Sequence, residues 1–432
     1  MKIAVIGMGK IGLPLAVQYA RKGHEVIGVD INQNTIDMIN SGKEPFPEEI
    51  NLAEYLNEVV LAGKLKATAS YETAVTTADV VVVVVPLFVN ISSEPDFASM
   101  DSATKLIGKY LKKGALVCYE TTLPIGTTRT RFIPSLEQDS NLTAGLDFSV
   151  VFSPERVYTG RIFADLAKYP KIVGGYTASC AKRGEEFYNS VIDFDSRSDL
   201  IKPNGVWLMT NCEEAEFVKL AETTYRDVNI ALVNQFAKFA GENKMNIYNV
   251  IEAANSQPYS HLHKPGISVG GHCIPIYPQF YLWNDPDASI VRSARETNQG
   301  MPEYCIKLLK SALGSLDQKK VLILGLSYRP NVKELAFSGA LDLVKLLNEG
   351  NSFPQILDPY YSDNEIIELG LVPFSSDAGS IDAIIIHTDH AYFTEELQTQ
   401  FASVKIIIDG RNLLRGDTSN QSLEIHTLGI GH

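Results

Sequence analysis

A glycine loop near the amino terminus constrains the fold of this chain more than any other feature. Residues 7–12 read Gly-Met-Gly-Lys-Ile-Gly, between the apolar run Lys2–Ile6 and the helical stretch Leu13–Lys22. In dinucleotide-binding α/β proteins, the first glycine allows a tight strand-to-helix turn, as Gly7 would here. The second, Gly9, lets the backbone approach a pyrophosphate at the helix N-terminus. The pattern predicts a βαβ unit that binds a dinucleotide.

Asp30 narrows the choice of dinucleotide. It ends the next apolar run, Glu25–Asp30, 18 residues after Gly12. A carboxylate there accepts hydrogen bonds from a ribose hydroxyl and repels a 2′-phosphate, so NAD is favoured over NADP. A glycine turn without a ligand and an FAD site are the alternatives. The expected cofactor contacts are Gly7, Gly9, Lys10, Ile11, Gly12, Asp30 and Val85.

Strand-like runs alternate with helical stretches in two parts of the chain, which is typical of parallel sheets with helices on both faces. The predicted strands are Lys2–Ile6, Glu25–Asp30, Val80–Val85, Leu116–Tyr119, Ser149–Phe152, Lys320–Leu324, Gln355–Asp358, Ala383–His387 and Lys405–Asp409. Between the two parts, Asn211–Gly241 has apolar residues at helical spacing and no proline or internal glycine. We therefore expect one long helix, which a single small domain cannot cover, and a homodimer or larger homo-oligomer built on it.

The fold class is accordingly α/β, with two Rossmann-like doubly wound domains joined by a long central helix. The predicted division is a dinucleotide-binding domain at 1–200, a central helical dimerisation region at 201–310 and a second α/β domain at 311–432.

Composition excludes several classes of protein. Of the 432 residues, 45% are hydrophobic, and the net charge of −13 argues against binding to a phosphate backbone. The longest apolar run, Val80–Val85, is far shorter than the roughly 20 residues of a membrane span. Met1–Gly7 reads as a strand and not as a signal peptide. Five cysteines without a Cys-x-x-Cys pair indicate no metal site and no disulfide framework, so we expect a reducing, cytoplasmic setting.

One of those cysteines, Cys273, is the candidate nucleophile. It lies in the loop Pro265–Pro275, after two glycines that leave the thiol uncrowded and beside His272, which can help form the thiolate. A lone cysteine is more often a small buried hydrophobe, which is how we interpret Cys118. Cys212, at a helix N-terminus, is a second candidate.

Other polar residues fall where chemistry is expected. Lys219 and Thr223 are four residues apart and share one face of the long helix, although a helix lysine is usually solvated. Glu155 follows the strand Ser149–Phe152, and ligands of parallel sheets gather beyond the carboxyl ends of strands.

The chain resembles the nucleotide-sugar 6-dehydrogenases, a family that includes UDP-glucose, UDP-N-acetylglucosamine and UDP-N-acetylmannosamine dehydrogenases. The resemblance spans about residues 1–415. Besides the glycine loop, it rests on Glu120–Thr128, Ser153–Val157, Lys219, Tyr225–Asn229, Gly270–Pro275, Gly325–Asn331 and Asp409–Asn412. The residues of several motifs resemble those of the N-acetylhexosamine branch more than those of the glucose branch.

The resemblance implies a four-electron oxidation of the C6 hydroxyl of a UDP-sugar with two NAD. Cys273 would attack the C6 aldehyde, and the thiohemiacetal would become a thioester that water hydrolyses. Lys219 would stabilise the oxyanion, Glu155 would act as a base through water, and Thr223 would hold a water. Thr121 and Thr122 would lie near the nicotinamide. The implied substrate contacts are Glu155, Arg156, Lys219, Arg226, Lys264, Gly270, Tyr328, Arg329 and Arg411.

The sequence departs from the family pattern at four places. Tyr277 stands four residues after the cysteine where the family has Asp, and Thr223 stands where it has Asn. Ala336 replaces an expected Arg, and Leu87-Phe88 replaces Thr-Pro. Three rival functions stay open: a UDP-glucose 6-dehydrogenase, a catalytically silent nucleotide-sugar binder, and a two-electron 2-hydroxyacid dehydrogenase.

Overall fold

The computed structural model describes residues 1–90, 92–375, 380–397, 401, 404–414 and 424–431. The chain forms two compact units. The first unit contains residues 1–222 and 279–284, and the second contains 223–278 and 285–432.

The strands of the described chain lie in three sheets. In chain order they are β1 (Lys2–Ile6), β2 (Glu25–Val29), β3 (Leu65–Thr68), β4 (Val80–Val83), β5 (Phe88–Val89), β6 (Pro95–Asp96), β7 (Leu116–Tyr119), β8 (Ser149–Phe152), β9 (Lys171–Gly175), β10 (Val206–Met209), β11 (Lys320–Leu324), β12 (Phe353–Leu357), β13 (Ala383–Ile386), β14 (Ile406–Asp409) and β15 (Glu424–Thr427). All nine predicted strands are confirmed to within two residues at each end.

The helices are also given in chain order. They are α1 (Gly12–Arg21), α2 (Gln33–Asn40), α3 (Leu52–Leu61), α4 (Tyr71–Val75), α5 (Ala98–Tyr110), α6 (Ile133–Ser140), α7 (Ile162–Lys168), α8 (Ala178–Val191), α9 (Cys212–Glu242), α10 (Ile247–Ala254), α11 (Tyr277–Asn284), α12 (Ser289–Gln299), α13 (Met301–Leu313), α14 (Gly339–Glu349), α15 (Asp363–Glu368) and α16 (Tyr392–Glu396), with a π-helical turn at Thr128–Phe132 before α6.

The sheet of the first unit has eight strands in the order β10-β9-β8-β7-β4-β1-β2-β3. Neighbouring strands are parallel except β8 and β9, which are antiparallel. Every residue of β4, β7 and β8 is buried, as expected for strands covered on both faces. Because β9 runs against β8, β9 begins at the edge where β7 and β8 end.

The sheet of the second unit has five parallel strands in the order β12-β11-β13-β14-β15. Its core is formed by the aliphatic side chains of β11 and β13, all of which are buried from Val321 to Leu324 and from Ala383 to Ile386. The α/β class is therefore confirmed for both units.

The first strands of the two large sheets, β1 and β11, end in the same backbone conformation. Gly7 and Gly325 each follow the first strand of their sheet with φ of 94°. Each donates its N–H at 2.8 Å to the carbonyl of the last residue of the neighbouring strand, Val29 or Leu357. Only glycine readily adopts this backbone conformation, so the strand-then-glycine similarity seen in the sequence has a structural counterpart.

The predicted long helix is α9, whose 31 residues match the expected span to within one residue at each end. Asn211 caps it, since its side-chain oxygen accepts a hydrogen bond from the Glu214 N–H at 2.8 Å. Among the residues that the structure describes, none of the helices combines the length and hydrophobicity needed to cross a bilayer.

Candidate active site

The glycine loop of the first unit fits a dinucleotide. A Cβ atom on Gly12 would lie 1.8 Å from the carbonyl oxygen of Gly7, so helix α1 can start this close to β1 only with glycine there. A Cβ atom on Gly9 would meet nothing within 4 Å. The backbone therefore faces open space at the N-terminus of α1, where the helix dipole favours a pyrophosphate. Lys10 and Ile11 complete this turn, with the Lys10 ammonium 3.4 Å from Glu48.

Asp30 lies beside this loop, where the ribose is expected. One of its carboxylate oxygens accepts the Met8 N–H and the other accepts the Asn32 N–H, both at 2.8 Å. Each oxygen of a carboxylate can accept about two hydrogen bonds, so both keep capacity for ribose hydroxyls.

The threonine pair and Val85 lie at the same edge of the sheet. Thr121 and Thr122 follow β7, and the Thr121 hydroxyl donates to the Val85 carbonyl at 2.6 Å. The residues predicted to contact NAD thus follow β1, β2, β4 and β7, which the sheet order makes neighbours or near neighbours.

Glu155 extends this edge, because it follows β8. Lys219 of helix α9 donates its ammonium to the Glu155 carbonyl oxygen at 2.7 Å, so two predicted catalytic residues are in contact. The Lys171 ammonium, at the start of β9, donates to the Glu155 carboxylate at 2.8 Å and to the Glu120 carboxylate at 2.7 Å. Arg156 lies beside them and pairs with Glu222.

This buried group of charges shifts the ionisation of its members. Burial would raise the pKa of Glu155, but the charge and hydrogen bond of Lys171 outweigh it, and the net pKa lies below the usual value. Burial raises the pKa of Glu120 despite the same lysine. Burial alone would lower the pKa of Lys171, but Glu120 and Glu155 raise it, so Lys171 stays charged. Sequence reasoning missed Lys171, which reads as an ordinary strand-start lysine.

The loop that carries Cys273 lies on the carboxyl edge of the second sheet. A Cβ atom on Gly270 would lie 2.3 Å from the Tyr328 Cβ, and one on Gly271 would lie 3.0 Å from the Tyr328 ring. The Gly271 N–H donates to the Ala336 carbonyl at 2.7 Å. Both glycines before the thiol are therefore required by close packing on the residues that follow β11.

Two residues of the second sheet lie beside the start of this loop. The Ser268 hydroxyl lies 3.2 Å from Nε2 of His387, which follows β13. A Cβ atom on Gly266 would lie 3.4 Å from the guanidinium of Arg411, which follows β14. Arg411 also donates to Asp389 at 2.8 Å.

Cys273 is the accessible thiol of the chain. All five cysteines are free and described, and the other four are buried. Burial raises the pKa of the Cys118 and Cys305 thiols and raises that of Cys212 to about 12. Cys212 therefore lacks the reactivity considered for it from its helix N-terminus, and Cys273 is the best placed nucleophile.

A cluster of four buried polar side chains forms hydrogen bonds with both ends of the cysteine loop. The cluster consists of Asp227 and Asn234 of α9 with Arg295 and Asn298 of α12. At the start of the loop, the Gly266 N–H donates to Asn234 at 3.0 Å, and Asn234 donates in turn to Asn298 at 2.9 Å.

The other end of the loop is held by Arg295. Its guanidinium donates to the Pro275 carbonyl at 3.1 Å and lies 2.8 Å from the Asp227 carboxylate, as an ion pair and not as an aligned hydrogen bond. Asn298 donates to the same carboxylate at 2.8 Å. The sequence offered Asp227 only within a motif and gave no signal for Asn234, Arg295 or Asn298, because these contacts join distant positions.

The other residues that the sequence analysis named for substrate binding, catalysis or departure from the family pattern lie in the second unit. Thr223 is buried and Arg226 half-buried on α9, Lys264 is exposed before the cysteine loop, Tyr328 and Arg329 follow β11, and Tyr277 begins α11. The structure thus brings the cofactor residues together with Glu155 and Lys219 in the first unit. In the second unit it brings glycines of the Cys273 loop together with Tyr328 and Arg411.

Sequence profiles of one family match three successive segments of the chain. The NAD binding domain of the UDP-glucose/GDP-mannose dehydrogenase family matches residues 1–192. The central domain of that family matches residues 213–300, and its UDP binding domain matches residues 322–416.

Individual proteins are similar over nearly the whole chain. A UDP-N-acetyl-D-mannosamine dehydrogenase from Pyrococcus horikoshii is 36% identical over 96% of both chains. The solved structure of the UDP-D-ManNAc dehydrogenase from that organism has a TM-score of 0.89 at 34% identity and covers 99% of each chain. An NDP-N-acetyl-D-galactosaminuronic acid dehydrogenase from Methanosarcina mazei has a TM-score of 0.83 at 27% identity, covering 99% of this chain and 94% of its own.

Proposed function

The chain belongs to the UDP-glucose/GDP-mannose dehydrogenase family and is an NAD-dependent UDP-sugar dehydrogenase, and on that premise we propose that it oxidises the C6 hydroxyl of UDP-N-acetyl-D-mannosamine to the uronic acid. The observation that carries the sugar assignment is the 36% identity to the Pyrococcus horikoshii relative over 96% of both chains. The galactosaminuronic acid dehydrogenase makes a UDP-N-acetylhexosamine of another configuration the first alternative.

The chain's own residues supply binding and polar catalysis. When bound, NAD supplies the hydride acceptor for each of two oxidations. The glycine loop and Asp30 orient it at the edge where Thr121 and Thr122 follow β7. Arg329 and Arg411 offer cations for the diphosphate of the sugar nucleotide, which a guanidinium can bind at two oxygens at once.

Cys273 carries the second oxidation. Its thiolate adds to the C6 aldehyde, and the resulting thiohemiacetal loses a hydride to become a thioester. The accessibility of this thiol, with the other four cysteines buried, supports the assignment. Lys219 stabilises the oxyanion with its positive charge, and Thr223 holds a water.

Water then hydrolyses the thioester with help from Glu155. Water attacks the carbonyl carbon and passes a proton to the Glu155 carboxylate, the C–O bond forms, the C–S bond breaks, and Cys273 leaves as thiolate. The contact of Glu155 with two lysines favours its ionised, proton-accepting form. Tyr277 is not a base here, because a phenol is neutral at neutral pH.

We also propose the domain roles that the sequence indicated: cofactor binding at 1–200, dimerisation and the thiol loop at 201–310, and nucleotide-sugar binding at 311–432. A homodimer forms through α9 in this arrangement.

The test is a substrate panel with a count of reducing equivalents. The protein is incubated with NAD and the UDP derivatives of N-acetylmannosamine, N-acetylglucosamine, N-acetylgalactosamine and glucose, and NADH and product mass are measured. We expect two NADH per sugar and the acid as product, with the mannosamine derivative used most efficiently. One NADH per sugar would contradict the thioester mechanism, and no NADH with any sugar would favour a silent binder.

Cys273→Ser tests the nucleophile in the same assay. Serine is a weaker nucleophile and a poor acyl leaving group, so turnover to the acid should fall by at least about 10³-fold while both ligands still bind. Cys180→Ser, at a buried thiol 3.1 Å from the Thr177 hydroxyl, is the matched control and should keep near-normal turnover. Acid formation by Cys273→Ser at a near-normal rate would exclude the covalent mechanism.

A further inference from the structure

Lys171 is a buried cation that takes no direct part in the bond-forming and bond-breaking steps of the proposed chemistry. Its side chain is 4% exposed, and its ammonium lies between the carboxylates of Glu120 and Glu155, which are 0% and 11% exposed. A buried ammonium shared by two buried carboxylates is costly to desolvate, and such groups often occur at functional sites.

The topology of the sheet places Lys171 at this point. Glu120 follows β7 and Glu155 follows β8, so both lie beyond the carboxyl ends of parallel strands. Strand β9 is antiparallel to β8, with Phe152 opposite Gly174, so the first residue of β9 lies beside the residues that follow β8. A parallel β9 would have left its first residue at the opposite edge.

The two carboxylates have unequal surroundings. Glu120 accepts hydrogen bonds from the hydroxyls of Tyr188 at 2.8 Å and Tyr19 at 3.3 Å, in addition to the bond from Lys171. Its hydrogen-bonding capacity is therefore met by groups that face the interior.

Glu155 has different hydrogen-bond partners and is slightly more exposed than Glu120. One of its carboxylate oxygens accepts from Lys171, and the other accepts the Arg156 N–H at 2.7 Å. Its backbone carbonyl accepts from Lys219. Lys171 thus donates directly to the Glu155 carboxylate, and Lys219 donates to the Glu155 backbone carbonyl.

Charged and titratable groups face Glu155 from each neighbouring element. They are Glu120 after β7, Lys171 on β9, Lys219 on α9, Arg156 with its partner Glu222, and Tyr19 on α1. Cys118 on β7 and Tyr188 on α8 interact with Glu120. Lys171 makes the largest favourable contribution to the ionised form of Glu155.

We propose that Lys171 is a positioning residue that holds Glu155 ionised and oriented as the base for thioester hydrolysis, and that Glu120 weakens this effect by sharing the same ammonium. The inference rests on the proposed role of Glu155. It predicts that removing the lysine and removing the competing carboxylate shift the pH dependence of hydrolysis in opposite directions.

The first arm of the test removes the cation. In Lys171→Met, Glu155 loses an opposite charge within hydrogen-bond distance, so the acidic limb of the kcat profile should move up by about 1 to 3 pH units. The acyl-enzyme should accumulate at pH values below the shifted limb, visible by mass spectrometry, and disappear as the pH is raised. A purely structural lesion would lower kcat at every pH without accumulating the thioester.

The second arm removes the competitor. Glu120→Gln keeps the shape of the side chain and an acceptor oxygen for the tyrosines but leaves Lys171 to Glu155 alone, so the acidic limb should move down. Lys171→Arg retains the charge and should stay within about half a pH unit of wild type. Lys112→Met removes a half-exposed lysine that pairs with Asp79 at 2.8 Å, and it serves as the control with an unchanged profile.

The outcomes separate this inference from the proposed function. If the acidic limb of the wild type survives Glu155→Gln, Glu155 is not the base and the proposed function is wrong on that point. If Glu155→Gln removes the limb but Lys171→Met does not move it, the role of Lys171 is wrong. Should Lys171→Met fail to fold by circular dichroism, Glu120→Gln decides alone, because an unmoved or raised limb overturns the proposal.

Discussion

In each unit an aspartate follows the second strand in chain order: Asp30 follows β2, and Asp358 follows β12. The two carboxylates have different hydrogen-bond partners. Asp358 is 2% exposed, and its carboxylate accepts from the N–H groups of Leu326, Ser327 and Tyr360 and contacts His390 at 3.1 Å. Its capacity is consumed inside the protein. Asp30 accepts only one backbone N–H on each oxygen among the described contacts, so it can still meet a ribose.

Exchanging Asp30 for Ala should therefore reduce the preference for NAD over NADP by about tenfold or more, since a charge-assisted hydrogen bond and the repulsion of a 2′-phosphate are lost together. The measurement is kcat/KM with each cofactor. Asp37→Ala, on the exposed face of α2, is the control and should leave the ratio unchanged. Equal efficiency with NAD and NADP in the wild type would contradict the role of Asp30.

Asn234 should matter to the thiol without touching substrate. Asn234→Ala leaves the buried Gly266 N–H without its acceptor, at a cost of about 1 to 3 kcal/mol in the free energy of unfolding. Because Gly266 starts the loop of Cys273, kcat should fall about tenfold or more with KM for the sugar nucleotide nearly unchanged. The rate at which iodoacetamide alkylates Cys273 should also change. Asn243→Ala, at an exposed position just after α9, should leave both rates unaltered. An unchanged alkylation rate in Asn234→Ala would argue that the Gly266–Asn234 hydrogen bond does not position the Cys273 loop.

At the scale of elements, the strands that the sequence predicts are short apolar runs with clear ends. Strands that lack this pattern were missed. The strands β3, β5, β6, β9, β10 and β15 were not predicted. Strand β9 ends in Gly174 and Gly175, which read as a break in a single sequence. In the structure, a Cβ atom on Gly174 would lie 2.1 Å from the Asn211 carbonyl oxygen. Glycine is therefore needed there, because the backbone just before α9 packs directly against β9.

The same limit applies to the candidate site. Glu155 and Cys273 could be named as candidates because each lies in a local pattern of glycine, proline or strand end. Lys171 and Arg295 could not, because their ion-pair partners lie 51 and 68 positions away along the chain. Burial of a charged side chain is a tertiary property, and no local pattern reports it.

Helix α9 has a face that suits a second copy of the chain. The exposed large hydrophobic residues Tyr225, Leu232, Phe236 and Phe239 recur at helical spacing along it. Leu232 and Val228 also line a groove of about 320 Å³ against Ile290 and Ser293 of α12. A soluble monomer rarely leaves such a stripe uncovered, which supports a homodimer through this face.

Leu232→Asp should therefore weaken the proposed homodimer, raising its dissociation constant by about 100-fold, because a charge would be buried in an apolar contact. The measurement is the molar mass by light scattering across a dilution series. Leu341→Asp, at a similarly exposed leucine of α14, is the control and should not change the mass. A monomeric wild type at micromolar concentration would exclude the dimer.

For the whole molecule, the net charge of −13 coexists with sites for anionic ligands because the cations are placed locally. Lys171 and Lys219 converge on Glu155 in the first unit, and Arg329 and Arg411 lie at the carboxyl edge of the second sheet. A negative net charge thus argues against a polyanion partner but is compatible with a dinucleotide or a sugar nucleotide.

The stability of the whole chain should depend on pH through His387. Burial, with a smaller contribution from Arg411, lowers the pKa of His387 to about 4, and its ring contacts the Gly325 carbonyl at 3.0 Å and the Ser268 hydroxyl at 3.2 Å. In the unfolded chain a histidine titrates near pH 6.5. Between pH 6.5 and 4 the unfolded chain therefore takes up a proton that the folded chain excludes. The contribution of His387 is complete above pH 6.5 and is lost as the pH falls, by up to about 3 kcal/mol.

His387→Gln removes this titration and keeps a donor and an acceptor at the site. The difference in the free energy of unfolding between wild type and His387→Gln, from urea denaturation at pH 7.5 and pH 5, should shrink at the lower pH, because only the wild type loses stability through this group. His261→Gln, at an exposed histidine, should follow the wild-type pH dependence. An identical pH dependence for wild type and His387→Gln would mean that His387 does not remain neutral in the folded chain, and that the contact between Ser268 and His387 tolerates a proton.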